Sequence, residues 1–198
     1  MRALAFVAKP LLFLMLCMPD ASFGRSTEVL QTISGIDLKT KLSHTVTFKE
    51  QRMGTVIVFV SSRCPCSDSY LNSNRRVSVL KRAGEKFSKQ GFTFLGVHSN
   101  ANETTQKDLD YFQTVDLPFP VIQDTECKLA NYFEAHSTPH AFVVNPSGDI
   151  LYKGGVSDCA HADRAQVYYL ENVLQDIAEG KKPRITQSRV LGCQIQRP

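Results

Sequence analysis

Two cysteines one residue apart, Cys64 and Cys66, flank Pro65 directly after the apolar run Val56-Ile57-Val58-Phe59-Val60 and the short link Ser61-Ser62-Arg63. If Cys64 caps a helix, Pro65 falls at the first helical position, where its missing N–H costs nothing and its fixed φ suits the helix. A sulfur at that cap faces the unpaired N–H groups of Cys66 and Ser67 and the positive end of the helix dipole. Both favour thiolate over thiol, and Arg63 is expected to add to the effect. A thiolate is a nucleophile towards disulfides and peroxides and a soft ligand for Cu(I) or Zn(II). The inert alternatives are a buried structural thiol or a bridge to a distant loop. Two cysteines this close, at a strand-to-helix corner, argue for redox or metal work.

The other candidates are spread along the chain. His140 follows Pro139, and His98 ends a second apolar run, so each reads either as a donor beside the two sulfurs or as an ordinary residue. The ordinary readings are packing for His140 and a solvated strand end for His98. A metal set of Cys64, Cys66 and His140 would suit Cu(I) or Zn(II). Cys127, beside Leu129, reads as a small buried hydrophobe. Cys159 and His161 form a loop pair with no further donors nearby in sequence. Cys193 lies in Val190-Leu191-Gly192-Cys193-Gln194-Ile195, an apolar stretch in a tail that would be polar if it only trailed in solvent. Burying its three large apolar residues is worth ~1.5–3 kcal/mol each, against ordering costs of ~1–2 kcal/mol per residue. That balance is near zero, so docking of the tail at the active site through Cys193 is expected to depend on redox state, tipped by a Cys64–Cys193 or Cys159–Cys193 disulfide. It would serve there as a resolving arm or as a structural clasp.

The chain has 198 residues, 42% hydrophobic and 21% charged, which fits one globular domain and excludes a rod or a charge-dominated disordered chain. A net charge of +4 is too mild to argue for nucleic acid as a partner. Residues 1–24 read as a signal peptide: Met1-Arg2, the apolar core Leu11–Leu16, then Ser22-Phe23-Gly24 as a small-residue cleavage site. The apolar core falls short of the ~20 residues needed to span a bilayer, so no membrane association is expected after its removal. Export, with a bacterial periplasm as the expected location, would let disulfides persist. Cys17 would leave with the signal. The cysteines that remain, Cys64, Cys66, Cys127, Cys159 and Cys193, are odd in number, so at least one is unpaired or works in turnover.

The elements that must position these residues follow from periodicity. Residues 25–53 are polar apart from a short lead-in strand at Thr45–Phe48. Val56–Val60 is continuous and β-branched, the pattern of a strand buried on both faces. Tyr70, Val77, Leu80, Ala83 and Phe87 predict one helix from Cys64 to Gly91. A strand at Phe92–Val97, a helix over Glu103–Val115 and a strand at Val121–Ile122 come next. A helix over Thr125–Ala135 carries Leu129, Tyr132 and Phe133 inward. Ala141–Val144 and Ile150–Lys153 form a hairpin around Asn145–Asp149, and a last helix runs from about Asp163 to Glu179. This order implies an α/β fold with a mixed sheet and helices on both faces, with Val56–Val60 and Phe92–Val97 parallel neighbours and Ala141–Val144 antiparallel to the former. Residues 25–183 form the domain and 184–198 its tail.

Strand, Cys-Pro at the helix start, Ser137-Thr138-Pro139-His140, a Phe-Val-Val strand and an Asn-Pro-Ser-Gly turn together resemble the thioredoxin-like superfamily. More narrowly, residues 45–180 are similar to exported redoxins of the alkyl hydroperoxide reductase and thiol-specific antioxidant group. The resemblance implies a thioredoxin-like sheet and makes Pro139 the cis-proline beside the active sulfur. It also makes protein thiols, protein disulfides or peroxide the partners. Three departures stand out: the spacing is Cys-x-Cys rather than Cys-x-x-Cys, Ile57 stands where peroxiredoxins keep a proline, and no arginine precedes Ala141–Val144.

Three functions follow in order. The first is a thiol–disulfide oxidoreductase needing no cofactor, with Cys64 attacking, Cys66 or Cys193 resolving, and Pro139 beside them. A Cys64–Cys66 ring would be small and strained, hence comparatively oxidising. The second is a thiol peroxidase passing through a sulfenic acid at Cys64. The third is a copper-binding metallochaperone.

Overall fold

The computed structural model describes residues 30–72 and 78–198, so the expected signal peptide at 1–24 and Val77 lie outside the described residues. The chain begins with a hairpin, β1 (Thr32–Ile36) and β2 (Ser43–Thr47), paired antiparallel from Thr32↔Thr47 to Ile36↔Ser43. Only β2 overlaps the expected lead-in strand. The first strand was hidden by its composition, because Ile33 alone is buried in it. Next come β3 (Gly54–Val60), α1 (Pro65–Leu71), α2 (Val79–Ser88) and β4 (Phe92–His98). They are followed by α3 (Gln106–Thr114), β5 (Val121–Gln123) and α4 (Lys128–Tyr132). The chain closes with β6 (Ser137–Thr138), β7 (His140–Val144), β8 (Ile150–Gly154), α5 (Tyr169–Ala178) and β9 (Cys193–Gln194).

The main sheet has the order β5-β4-β3-β7-β8. As expected, β3 is central, parallel to β4 (Val58↔Gly96) and antiparallel to β7 (Val58↔Ala141). Every residue of β3 is buried, and its side chains alternate between two cores. Val56, Val58 and Val60 face Leu80, Phe87 and Phe112 with Leu170 and Leu174, from α2, α3 and α5. Ile57 and Phe59 face the other core, with Ile33, Val46, Ala130 and Phe133 from the hairpin and the α4 segment. The helices therefore cover both faces.

Four helices differ from expectation: α3 starts at Gln106 rather than Glu103, where Thr105 caps it, and the other three also follow local polar groups. The single helix to Gly91 is two, because Ser78 starts a new one by accepting the Lys81 N–H at 3.1 Å. The helix expected from Thr125 begins three residues later, where the Asp124 carboxylate accepts the N–H groups of Leu129 and Ala130, each at 3.0 Å. Tyr132 on it points outward at 46% exposure, its hydroxyl accepting the Leu30 N–H. The last helix starts at Tyr169 rather than Asp163, because Asp158 holds the preceding segment extended through Gln166 and Val167.

Candidate active site

The corner after β3 is built by one buried carboxylate. Ser61 Oγ donates to Glu103 Oε1 at 2.6 Å, while the N–H and hydroxyl of Ser62 donate to Oε2 at 2.8 and 2.7 Å. Ser61 Oγ also accepts the N–H groups of Arg63 (3.2 Å) and Cys64 (3.0 Å). The loop that delivers the cysteine is thus held from below. His98 is fully buried and joins the same carboxylate, Nε2 to Oε2 at 3.0 Å, so it is neither a solvated strand end nor a donor beside the sulfurs. Burial opposes ionisation of Glu103, but hydrogen bonds from His98, Ser61 and Ser62 win and hold its pKa at about 2.

Cys64 sits at the cap position of α1 with Pro65 at the first helical residue, as expected. Of the two N–H groups expected to face it, Ser67's reaches the sulfur, at 3.4 Å. Its thiol donates to the Thr138 carbonyl at 3.2 Å, and Thr138-Pro139 is a cis peptide, so the proline loop does lie beside the sulfur. Arg63 does not serve Cys64: its guanidinium forks onto the Asp108 carboxylate through two 2.6 Å bonds. That bidentate pair holds the Asp108 carboxyl far below the usual carboxylate range.

The tail brings a third sulfur. β9 pairs antiparallel with β6, Cys193 opposite Thr138 and Gln194 opposite Ser137. Two residues on, Ile195 is buried in the core beneath β3 and its N–H donates to the His136 carbonyl at 2.8 Å. Gly192 makes the approach possible, since a Cβ there would lie 2.0 Å from the Thr138 carbonyl oxygen. The tail docks at the site through Cys193 as expected, but with Cys64, Cys159 and Cys193 all free thiols, so no disulfide holds it there. Of the three apolar residues around Gly192-Cys193, Ile195 is the one fully buried, while Val190 and Leu191 are half-buried.

Cys64, Cys66 and Cys193 gather with their sulfur atoms all within 4.8 Å of one another, and each is a free thiol. Among the described residues the third donor that joins Cys64 and Cys66 is thus Cys193, not the candidate His140. The His140 ring lies 4.4 Å from that of Phe142, and its Nδ1 has no partner. The trio is electrostatically unequal. Burial opposes ionisation of Cys64, but hydrogen bonds led by that from the Cys193 thiol and including that from the Ser67 N–H outweigh it and lower its pKa. Burial and then the developing charge on Cys64 raise Cys66. Burial and the bond to Cys64 push Cys193 up to about 12. Such a cluster carries one thiolate at a time, on Cys64. A cleft of about 200 Å³ opens beside it, lined among others by Asn100, Asn102, Cys193, Gln194 and Gln196.

Cys127 is a small buried thiol, as expected, donating to the Ser99 carbonyl at 2.6 Å. Cys159 is half-buried in the loop before α5, and its carbonyl accepts the Tyr70 hydroxyl. Neither Cys159 nor His161 joins a three-donor cluster among the described residues. Glu103 is the site residue that sequence reasoning missed. It reads only as a helix start, because its partners come from two other strand ends.

Comparison with known proteins bears on the family and the fold. The family model described as the AhpC/TSA family matches residues 29–153. No curated protein matches the chain. Among solved structures, a hypothetical protein from Sinorhizobium meliloti 1021 superposes with a TM-score of 0.71 at 19% identity, covering 84% of this chain and 91% of its own. An uncharacterized conserved protein from Geobacillus kaustophilus gives 0.68 at 19%, covering 84% and 89%. A thiol:disulfide interchange protein from a Bacteroides species gives 0.54 at 21%, covering 78% and 90%. These likenesses establish the thioredoxin-like fold.

Proposed function

The chain belongs to the AhpC/TSA family, and from that premise we propose that it is a thiol–disulfide oxidoreductase with Cys64 as the exchanging thiol and Cys193 as its resolving partner. The observation that carries this reading is the sulfur cluster with a single favoured thiolate. The Cys64 thiolate attacks one sulfur of a substrate disulfide, and the other sulfur leaves as a thiolate. Cys193 gives its proton to that leaving group and attacks Cys64 Sγ, expelling the second substrate thiolate. One disulfide is reduced to a thiol and a thiolate, the thiolate taking from solvent the proton that Cys64 had released to it, and a Cys64–Cys193 disulfide forms. Cys193 is preferred over Cys66 because a Cys64–Cys66 disulfide spans one residue and closes a strained ring, whereas β9 brings Cys193 in from a separate strand. Pro139 shapes the wall of the site, and protein thiols or disulfides are the expected partners. Export through residues 1–24 would keep such a couple in a compartment where disulfides persist; no described helix is long and apolar enough to cross a membrane.

Trapping tests this reading. Cys64→Ser should abolish exchange, Cys193→Ser should accumulate a mixed disulfide on Cys64, and Cys66→Ser should still resolve it. Full exchange by Cys64→Ser would overturn the assignment of the nucleophile. Resolution by Cys193→Ser but not by Cys66→Ser would transfer the second role to Cys66.

A second reading is a copper site. Three cysteine sulfurs within 4.8 Å of one another can approach one Cu(I) ion as a trigonal thiolate set. Elemental analysis of protein purified anaerobically separates the two: stoichiometric copper lost in Cys193→Ser would favour this reading.

A further inference from the structure

The strand edge at the nucleophile is already occupied. Thr138 carries the carbonyl 3.2 Å from Cys64 Sγ, so β6 runs directly beside the reacting atom. An extended polypeptide presenting a disulfide to Cys64 would reach it by adding a strand to such an edge, with main-chain hydrogen bonds supplying the affinity. β9 does this from within the same chain, and it places a cysteine, Cys193, opposite Thr138. The tail is held at several further points. Gln196 N–H donates to Asn100 Oδ1 at 2.9 Å, its carbonyl accepts the Ala101 N–H, and Arg197 donates to the Ala135 carbonyl at 2.6 Å. What stays open beside Cys64 is the cleft of about 200 Å³, walled partly by the tail itself.

We propose that β9 is a resident substitute for a polypeptide substrate: with the tail docked the site exchanges with small disulfides through the cleft, and a polypeptide disulfide engages only after β9 leaves β6. The proposal rests on Cys64 being the exchanging thiol. The docked cleft lies below the ~300–1,000 Å³ of ordinary ligand pockets, enough for one short thiol-bearing arm but not for a strand. Among the described residues its lining combines the amides of Asn100, Asn102, Gln194 and Gln196 with two charges already engaged, Arg63 on Asp108 and Glu103 on Ser61 and Ser62, which suits small neutral or zwitterionic disulfides.

The experiment uses the full reduced chain and two probes that share a leaving group. One is 2-hydroxyethyl disulfide, and the other is an unstructured peptide of about a dozen residues whose single cysteine is disulfide-bonded to 2-mercaptoethanol. Formation of the Cys64 mixed disulfide is timed at a pH where Cys64 is ionised. The wild type should react with the small probe at least about tenfold faster than with the peptide. Gly192→Val, which drives a side chain into the Thr138 carbonyl, should raise the peptide rate about tenfold and move the small-probe rate little. Equal wild-type rates for the two probes would overturn the proposal, and so would a peptide rate that Gly192→Val leaves unchanged. No reaction with either probe would instead sink the assignment of Cys64.

A second measurement keeps the test open if Gly192→Val does not fold. In Cys66→Ser/Cys193→Ser chains with the peptide trapped on Cys64, amide exchange at Ile195 and Gln196 should be fast. With 2-mercaptoethanol trapped it should stay slow. Protection that is the same in both adducts would show that the peptide binds without moving β9, and the proposal would fall.

Discussion

Ser61 and Glu103 meet at 2.6 Å across 42 residues of sequence, and that contact suspends the nucleophile's loop from a buried carboxylate. The same Ser61 oxygen accepts the Cys64 N–H, so the position of the sulfur depends on a group that never touches it.

Glu103→Ala should destabilise the fold by about 3 kcal/mol or more, because Ser61, Ser62 and His98 lose a shared buried acceptor at ~1–3 kcal/mol each. Urea unfolding at neutral pH checks this, and a change within ~0.5 kcal/mol would contradict it. The pH dependence has a definite sign. The folded pKa of about 2 lies below the ordinary 4.5. The unfolded chain therefore takes up the proton first, and the stabilisation present above pH 4.5 is lost as pH falls towards 2. Glu103→Gln should flatten that limb of the stability curve.

His140 should give a separate acid limb at higher pH. Burial, then the neighbouring charges of His136 and Lys153, lower its pKa from 6.5 to about 4. A neutral buried imidazole stabilises the fold fully above pH 6.5, and protonation of the unfolded chain removes that stability on the way down to about pH 4. The amount is on the order of 3 kcal/mol. Unfolding of His140→Phe across this window should show a flatter curve than the wild type. Parallel curves would show that another group is responsible.

Cys64 should be the fastest of the five described cysteines to alkylate near neutral pH, with a midpoint lowered from that of an ordinary cysteine. Cys193→Ala should raise that midpoint, because the thiol bond that favours the thiolate disappears. Mass-spectrometric labelling across pH reads both effects. Faster labelling at Cys127 or Cys159 would contradict the site, and an unmoved midpoint in Cys193→Ala would show that Cys193 does not support the thiolate.

Peroxide should be a poor substrate beside a disulfide. Ile57 is buried in the core beneath the sheet, and the nearby Arg63 is committed to Asp108, leaving its charge unavailable to a peroxide at Cys64. Stopped-flow consumption of hydrogen peroxide should be slower than disulfide exchange by at least about a hundredfold. Rapid consumption that Cys64→Ser abolishes would promote the peroxidase reading over the one preferred here.

Local chemistry was legible in the sequence wherever it depended on neighbours along the chain. The β-branched run at 56–60 read as a buried strand, Pro65 suited the first position of a helix behind Cys64, and the apolar residues of the tail pointed to a surface that covers them. The strand–helix order then fixed β3 beside β4 and β7. The tertiary structure decided which distant groups share a site. His98 and His140 each read either as a donor for the sulfurs or as an ordinary residue. The fold turns one onto Glu103 and the other onto Phe142, and brings Cys193 to Cys64 instead. The reason is that a hydrogen bond or a sulfur contact across tens of residues leaves no periodic trace. It arises only when sheet register and the docking of a tail set two backbones side by side, as β6 and β9 are at Thr138 and Cys193.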